Sequence, residues 1–462
     1  MAQRKPTQKR RPCVVIISNA NIKFVIVIFL TSILYANERL MAPWPLRPKS
    51  TMKSSDMKPV DHSSSAQAGV EKAVLTGPGH ALLNDVSLPA AVVYERPLQH
   101  NIDWMQSFAE RHGARLAPHG KTTMTPALFH RQLEAGAWGI TLATAVQCAA
   151  AFEHGVTRLL MANQLVGAAN MALVADMIAR GAEYHCVVDS VENVRALNTF
   201  FAARELRLHV MIELGVEGGR CGVRNDHELD ALFAEIEQSP ALILSGIEGY
   251  EGIIGGHTPI ADVRAYGDRL VETVMRLKQT HAFTTAKPVV TASGSKWFDL
   301  IAEAFDRADL RGEYIPLLRP GCYVVHDHKL YAGAMEEVKD RHPDLTGQLQ
   351  PALEVFAHVQ SLPEPGLAIV AIGKRDIGCD PDLPMPQRLY RDGQPPRDVR
   401  GWSATHIMDQ HLFLSVPADE DVAVGDILSF GTSHPCLTFD KWRHVLLVDE
   451  ALNVVDTLPT RF

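Results

Sequence analysis

The sequence lacks the features that mark nucleic-acid-binding, disulfide-stabilised and dinucleotide-binding proteins. The 45 Lys and Arg residues are outnumbered by 53 Asp and Glu, and the formal net charge of −8 argues against a nucleic-acid partner. The seven cysteines are scattered, odd in number and never spaced as C-x-x-C. We therefore expect no disulfide framework and a reducing, cytoplasmic compartment. No G-x-G-x-x-G follows the first predicted strand, which argues against a dinucleotide-binding sheet.

Long apolar runs are also scarce. The cleanest one, FVIVIFLTSILYA at 24–36, is shorter than the ~20 residues that a membrane-spanning helix needs. Because the run follows a basic start and ends at the small residue Ala36, segment 13–36 resembles a secretory signal or a membrane anchor. The alternative is a start codon assigned too far upstream, with Met41 or a later methionine as the true start. Residues 1–70 are thus predicted to be targeting or disordered sequence, with a linker at 41–69.

From residue 90 onward, short β-rich runs alternate with segments that have apolar residues at helical spacing. Eight such runs can be counted, from AAVVY (90–94) to PVVTASGS (288–295). Strands that alternate with helices predict parallel units, and eight units predict a closed (β/α)8 barrel, the TIM barrel architecture, over 71–344. An open, doubly wound sheet is the alternative.

The pattern changes after about residue 345. Short β-type runs such as GLAIVAIG and VGDILSFG are separated there by Pro, Gly and Asp. This pattern predicts a mostly antiparallel C-terminal β domain over 345–462. The segment at 70–88 is expected to add a strand to that domain. The polar, Pro-rich segment 377–402 is predicted to be a long surface loop.

Barrel proteins collect functional groups at the C-terminal ends of their strands. Lys121 ends the second run, where an apolar pocket would make it a nucleophile; position alone favours a solvated loop lysine. The segments TASGSKW (291–297) and RPGCY (319–323) could bring backbone N–H groups to a phosphate, or be ordinary turns. Arg220, in a Gly-rich loop, could meet a cofactor ring or a carboxylate, or face solvent. Further strand ends carry Thr144, Asp189, Glu213 and Tyr250.

The C-terminal domain offers a candidate metal site in SHPC. His434 and Cys436 are two residues apart, so on an extended chain both side chains leave the same face. An imidazole and a thiolate suit Zn²⁺, and two protein ligands would leave positions open for water and substrate. A lone histidine near a buried cysteine is the alternative. Asp409 or His411 of HIMDQH could support the metal ligands, or lie in a solvated turn.

Three segments together resemble the D-serine dehydratase and D-threonine aldolase family. PHGKTTMTPALFHRQLEAGAWGITLAT is similar to its pyridoxal-phosphate (PLP) lysine motif, MDQHLFL to its S-E-E-H-G segment, and SHPC to its P-x-H-x-C metal motif. The motifs follow the family's order, and the likeness runs from about 85 to 455. The resemblance implies the alanine-racemase-like barrel of fold type III.

The resemblance also implies roles for PLP-binding residues. Lys121 would form a Schiff base with the cofactor, and Tyr250 matches a tyrosine that contacts it. The family's second tyrosine falls on His257, so this chain departs from the pattern there. Ser295 would lie beside the phosphate. Further matches, to backbone phosphate contacts, are Gly321 and Cys322.

The metal ligands of the family's dehydratases match His434 and Cys436. Some aldolases of the family have an Asp at the second position and use a manganese-like ion. Because cysteine is the softer ligand, Cys436 favours Zn²⁺ and the dehydratase branch. MDQH departs from S-E-E-H-G at several positions, so no role is transferred to it.

The resulting hypothesis is a PLP- and zinc-dependent lyase acting on a small D-3-hydroxy amino acid. A D-serine dehydratase, which yields pyruvate and ammonia, is favoured over a D-threonine or D-3-hydroxy amino-acid aldolase. A non-catalytic PLP carrier would lack the metal-bearing domain, so SHPC argues against it. A racemase would need a second acid/base, and none can be assigned. Fold type III enzymes are often dimers, so a homodimer is expected by resemblance.

Overall fold

Buried strands and capped helices alternate along the chain in the computed structural model, which describes residues 78–462 except 281, 282 and 284. The predicted signal or anchor segment 13–36, Met41 and the linker 41–69 lie outside the described residues. Within the described part of the chain, no helix is long and apolar enough to cross a membrane.

The elements are numbered in chain order. The strands are β1 (Ala90–Tyr94), β2 (Arg115–Leu116), β3 (Ile140–Leu142), β4 (Arg158–Gln164), β5 (Glu183–Val188), β6 (Leu208–Leu214), β7 (Leu242–Gly249), β8 (Val289–Ala292), β9 (Ile315–Leu318), β10 (Leu353–Glu364), β11 (Leu367–Val370), β12 (Met385–Tyr390), β13 (Arg397–Asp398), β14 (Ser403–Ile407), β15 (Leu412–Ser415), β16 (Ile427–Gly431), β17 (His444–Val448) and β18 (Val454–Pro459). The helices are α1 (Leu82–Asp85), α2 (Glu95–Arg111), α3 (Pro126–Glu134), α4 (Ala145–Glu153), α5 (Ala168–Ala179), α6 (Val191–Ala202), α7 (Asp226–Glu237), α8 (Pro259–Gln279), α9 (Phe298–Arg307), α10 (Leu330–Arg341) and α11 (Cys436–Phe439). Two short 3-10 helices span Gly120–Thr122 and Cys322–Val324.

Strands β2 to β9 form a parallel, eight-stranded sheet that curls into a barrel. The strand order is β2-β9-β8-β7-β6-β5-β4-β3. The two end strands meet where a parallel bridge joins His119 to Thr141, and the Thr141 amide donates to the Pro118 carbonyl at 2.9 Å. The predicted (β/α)8 barrel is therefore confirmed, and the described residues do not form the alternative open sheet.

One strand of the predicted barrel belongs elsewhere. β1, the AAVVY run, pairs antiparallel with β10 and parallel with β17 in the C-terminal sheet. The eighth barrel strand is instead β9, whose sequence IPLL was not assigned from the pattern. β1 is buried on both faces, as barrel strands are, so its apolar pattern could not show which sheet it joins. In β9, Pro316 weakened the strand signal.

The C-terminal β domain is mostly antiparallel, as predicted, with the order β13-β12-β16-β10-β1-β17-β18 and a β11, β14, β15 extension. Two details differ from the sequence expectations. Segment 377–402 is not one long loop, because it contains β12 and β13, and β12 buries Leu389 and Tyr390. The described part of 70–88 adds an isolated bridge between Ala81 and Asn453 rather than a strand.

The barrel interior is filled by apolar side chains. An inner cluster of buried residues joins strands from all around the barrel: Ala117, Trp138, Leu160, Val187, Met211, Val289 and Leu317. This cluster fills the barrel and leaves no pore, so a ligand site is expected at the carboxyl ends of the strands. Three helices that begin at that end have side-chain N-caps. The side chains of Thr144, Ser190 and Asn225 accept hydrogen bonds from backbone N–H groups of α4, α6 and α7.

Candidate active site

Lys121 lies on a tight turn at the mouth of the barrel, in the 3-10 helix that follows β2. Its neighbours Gly120 and Thr122 are buried, whereas the Lys121 side chain is exposed. Gly120 is required there, because a Cβ would lie 2.7 Å from the Phe129 ring and 2.9 Å from Ile140. Within the described residues, no hydrogen bond or ion pair holds the Lys121 amine, so it is available to a ligand in the mouth.

A backbone anion site lies opposite this turn, after β9. The amides of Gly321 and Cys322 both donate to the Ser295 hydroxyl, at 3.2 and 3.1 Å. A Cβ on Gly321 would lie 2.6 Å from both the His119 carbonyl oxygen and the Thr122 hydroxyl, so only glycine lets this loop pack on the Lys121 turn. Two converging N–H groups and a hydroxyl fit a phosphate group.

Arg319 holds that loop from below. Its guanidinium pairs with the Glu248 carboxylate and donates to the Gly249 carbonyl at 2.7 Å and to the Thr291 hydroxyl at 2.9 Å. Arg319 and Glu248 are both almost completely buried. Buried charges are tolerated when they are paired and hydrogen-bonded, as here.

The loop after β8 differs from the sequence expectation. The Ser293 and Gly294 amides, predicted to face a phosphate, donate instead to the carboxylate of fully buried Glu251, at 2.9 and 2.6 Å. Ser293 has a φ of 89°, which is unfavourable for a residue with a side chain, and the two bonds to Glu251 hold it there. Of the TASGS residues, Ser295 alone is seen contacting the amides of the anion site.

Tyr250 and Arg220 form the next wall of the mouth. The Arg220 guanidinium lies 4.2 Å from the centre of the Tyr250 ring, a cation–π contact. Burial, followed by the positive charges of Lys121, Arg319 and Arg220, lowers the pKa of His119 well below its usual range. His119 is therefore neutral and close to all three cations, which brings Lys121 and Arg220 to one place.

His257 is not brought to this group. It is exposed in the loop between β7 and α8 and makes no hydrogen bond or ion pair with the described residues. The sequence expectation that it contacts the cofactor therefore has no support from its position. The loop is rich in glycine, and a motif match could not fix its course.

Two carboxyl groups face each other deeper in the mouth. Glu213 of β6 pairs in register with Glu248 of β7, and the Gln164 amide donates to Glu213 at 2.6 Å. Burial, and then the Glu248 charge, raises the pKa of Glu213 to about 7. One oxygen of Glu248 is buried without a hydrogen-bond partner among the described residues. The mouth therefore contains a proton-holding group and an open acceptor.

A cluster of potential metal ligands lies beside the Lys121 turn. The donor atoms of Cys322, His434 and Cys436 all lie within 4.8 Å of one another. A hydrogen bond from Cys322, and to a lesser extent His434, holds the pKa of Cys436 well below its usual range, despite burial. The bond to Cys436 also raises the pKa of His434. A thiolate beside an imidazole is a donor set that fits Zn²⁺.

The backbone brings His434 and Cys436 together differently from the sequence prediction. The segment is not extended: Pro435 has helical angles and Cys436 begins α11. The turn is held by the Thr432 hydroxyl, which donates to the His434 carbonyl at 3.0 Å and lies 3.0 Å from the Thr438 hydroxyl. The two side chains converge because the turn closes on itself.

The HIMDQH segment does not support this cluster. Asp409 and His411 are both exposed, and Asp409 pairs with Arg375 at 3.5 Å. Neither contacts a member of the ligand cluster. The expectation that one of them supports the metal ligands is therefore not borne out by their positions.

Thr122 connects the lysine turn to the metal cluster. Its buried hydroxyl lies 3.5 Å from the Cys436 sulfur and 3.8 Å from the Cys322 sulfur. Because Thr122 directly follows Lys121, the Lys121 amine, the Gly321 and Cys322 amides and the cluster of potential metal ligands share one mouth.

Two family models match the chain in the order of its two domains. The alanine racemase N-terminal domain matches residues 95–307, and the putative serine dehydratase domain matches residues 352–448. Homologues of the chain are D-threonine aldolase and D-3-hydroxyaspartate dehydratase, which belong to a family of fold type III PLP enzymes. PLP is the cofactor expected for this family.

Individual relatives agree with this assignment. The chain is 25% identical to the D-threonine aldolase of Arthrobacter sp. over 381 residues, which cover 81% of this chain and 92% of the relative. It is 33% identical to the D-threo-3-hydroxyaspartate dehydratase of Delftia sp. (strain HT23) over 138 residues, which cover 30% of this chain and 36% of the relative. The crystal structure of the Filomicrobium marinum D-threonine aldolase shares the fold, with a TM-score of 0.68, 22% identity and coverage of 83% and 98%. These relatives support an enzyme of lyase type.

The sequence analysis missed several residues that form this site. Glu251, Arg319 and the Cys322 sulfur were not given their structural positions, and Thr122 was not singled out. Glu251 and Arg319 directly adjoin predicted residues, at Tyr250 and in RPGCY, so adjacency was the available signal. Their contacts depend on how separate loops meet, which a motif does not specify.

The position of Lys121 predicts that it alone carries the cofactor. We expect that Lys121→Ala, after loading with PLP, loses the cofactor's covalent attachment. Borohydride reduction followed by peptide mass mapping measures the attachment directly. Lys287→Ala, at an exposed lysine just before β8, is the control and should keep the label. Labelling of another lysine in the wild-type protein would contradict the assignment.

The raised pKa of Glu213 predicts a pH-dependent stability. The folded chain keeps Glu213 protonated up to about pH 7, whereas the unfolded chain ionises it near its ordinary value of 4.5. Glu213 therefore costs no stability below about pH 4.5, and its penalty grows as the pH rises from about 4.5 to about 7 and then stays constant. Glu213→Gln should raise the free energy of unfolding by on the order of 1–3 kcal/mol at pH 8 and by much less at pH 4.5.

Urea unfolding at both pH values measures this difference. Exposed Glu217→Gln, four residues away, is the control and should show no pH-dependent gain. An equal effect of Glu213→Gln at pH 4.5 and pH 8 would show that the carboxyl group is not perturbed in the folded protein.

Proposed function

We propose that the protein is a PLP- and zinc-dependent lyase that deaminates D-3-hydroxy amino acids by elimination of the β-hydroxyl followed by hydrolysis, with no net loss of water, so that D-serine gives pyruvate and ammonia. The observation that carries this proposal is the contact between the Lys121 turn and the ligand cluster of Cys322, His434 and Cys436 through Thr122. Elimination of the β-hydroxyl needs a base for the Cα proton and, next to it, a Lewis acid for the hydroxyl. The contact would place Lys121, as the base, beside a site for the Lewis-acid metal.

The residues of the mouth fit PLP. The Gly321 and Cys322 amides and the Ser295 hydroxyl would bind the phosphate, since they already converge on one point. Lys121 would bind the cofactor's aldehyde carbon through its amine. PLP, when bound, supplies an electron sink for the charge left at Cα. Tyr250, held against Arg220, would form a wall of the ring site.

Lys121 has a second role in this proposal. Once a substrate amine has replaced it, the Lys121 amine would be placed to remove the Cα proton as general base. The exposure of the side chain and its lack of fixed partners among the described residues leave it free to make this exchange. Neutral His119 nearby adds no further positive charge to the mouth.

The ligand cluster accounts for the loss of the β-hydroxyl. Zinc, when bound there, supplies a Lewis acid that stabilises the departing hydroxide. His434 and Cys436 would hold it, with the low pKa of Cys436 keeping a thiolate ready at neutral pH. The buried Thr122 hydroxyl excludes bulk water from the side of the cluster that faces Lys121.

A D-threonine aldolase is the second candidate. The similarity to the Arthrobacter aldolase, over 92% of that protein, favours it. Removal of the β-hydroxyl proton instead of the hydroxide would break the Cα–Cβ bond and give glycine and acetaldehyde from D-threonine. The soft thiolate ligand favours zinc and, with it, elimination.

The reaction is tested by incubating the PLP- and zinc-loaded protein separately with D-serine, D-threonine and D-3-hydroxyaspartate. We expect keto acid and ammonia in equal amounts from D-serine, and no product from L-serine. Keto acid is measured by lactate dehydrogenase coupling and aldehyde by alcohol dehydrogenase coupling. Glycine and acetaldehyde from D-threonine, with no keto acid from any of the three substrates, would establish the aldolase instead.

The metal's role is tested with a His434→Ala/Cys436→Ala double variant. Because both substitutions remove donor atoms while leaving the phosphate loop intact, the variant should lose bound zinc and elimination activity and keep PLP. Zinc is measured by plasma emission and PLP by absorbance. Exposed His358→Ala, on β10, is the control and should retain both. Full elimination activity after chelation of the wild-type protein would refute this role.

A further inference from the structure

The two sulfur atoms of the ligand cluster lie at a distance that matches metal coordination. Cys322 Sγ and Cys436 Sγ are 3.6 Å apart. Two thiolates bound to one tetrahedral Zn²⁺, each about 2.3 Å from the ion, are separated by about 3.8 Å. A disulfide would require about 2.05 Å, so the pair is not bonded. The separation therefore fits two ligands of a single ion.

Cys322 is fixed in this position by its backbone. It is 4% exposed and begins the 3-10 helix Cys322–Val324, and its amide donates to Ser295 at 3.1 Å. The amide therefore faces the phosphate loop while the sulfur faces the metal cluster. The buried thiol lies beside Cys436 in this arrangement.

The surroundings of the Cys322 sulfur are those of a ligand. The Thr122 hydroxyl lies 3.8 Å away. The Tyr331 ring packs edge-on to the His434 ring, with the ring centroids 6.1 Å apart. A hydroxyl group beside a thiolate ligand holds it in orientation, which is the usual role of residues surrounding a metal site.

From this geometry we propose that Cys322 is a third protein ligand, so that the metal is bound by Cys322, His434 and Cys436. The inference rests on the metal-dependent function proposed above and changes its ligand set. In the sequence expectation, Cys322 contacted the phosphate through its backbone only, and the metal had two protein ligands.

The third ligand has two consequences. Three protein ligands leave one open position on a tetrahedral ion, which is the usual arrangement of catalytic zinc and allows one β-hydroxyl to bind. Two thiolates also cancel the charge of Zn²⁺, so the site needs no further carboxylate. One residue then joins the phosphate loop to the metal, and the two bound groups are held at a fixed separation.

The test is zinc-edge X-ray absorption on the full chain loaded with PLP and one equivalent of zinc. We expect two sulfur neighbours at about 2.3 Å in the wild-type protein and one in Cys322→Ser. Cys221→Ser removes a thiol from the other cluster of potential ligands, Asp189, Glu213 and Cys221, and should retain both sulfur neighbours.

Chelator competition provides a second readout. Cys322→Ser should weaken zinc binding at least about tenfold, because loss of an outer partner of a ligand alone costs roughly 10–100-fold. PLP binding should persist, since the substitution leaves the backbone amide at this position in place. Circular dichroism verifies that the variant is folded, and the wild-type sulfur count tests the proposal even if the variant does not fold.

The outcomes separate this inference from the proposed function. One sulfur neighbour in the wild-type protein, or two in Cys322→Ser, would overturn the third ligand while leaving the lyase intact. Two sulfur neighbours in a protein that releases neither keto acid nor aldehyde would support the ligand set and refute the lyase. Loss of a sulfur neighbour in Cys221→Ser would show that the metal binds instead at the cluster of Asp189, Glu213 and Cys221.

Discussion

The site depends on the contact of the Thr122 hydroxyl with the sulfur atoms of Cys322 and Cys436. The barrel alone offers an amine and phosphate-binding amides, and the β domain alone offers a thiolate and an imidazole. The described part of the chain connects the two domains twice: β1 lies in the C-terminal sheet, α2 leads from it into the barrel, and β10 lies in that sheet again. A shift of either domain would separate the two halves of the site.

The polar groups of the mouth are held by one another. Glu251 fixes the loop after β8, Arg319 fixes the loop after β9, and Glu248 pairs with Arg319. In a site of low dielectric, such pairs are strong when complete and costly when broken. The cationic Arg220 and the weakly acidic Glu213 then leave a mouth prepared for an anionic cofactor and for proton transfer.

Much of the fold and part of the site could be predicted from the sequence. The alternation of strands and helices indicated the barrel, and Lys121, Ser295, Gly321 and the SHPC pair could be named from motifs. β1 was assigned to the wrong sheet, because burial on both faces gives the same pattern in either sheet. β9 was not assigned, because Pro316 obscured its strand pattern. The sulfur of Cys322 could not be placed beside Cys436, since 114 residues separate them and only the packed fold brings them together.

The most direct measurement is anomalous diffraction at the zinc edge from crystals containing both PLP and zinc. We predict one anomalous peak bonded to His434 and Cys436, with cofactor density continuous with Lys121 on the other side of Thr122. A peak elsewhere, for example at Asp189 and Glu213, or a cofactor attached to another residue, would contradict a single site built from the two domains.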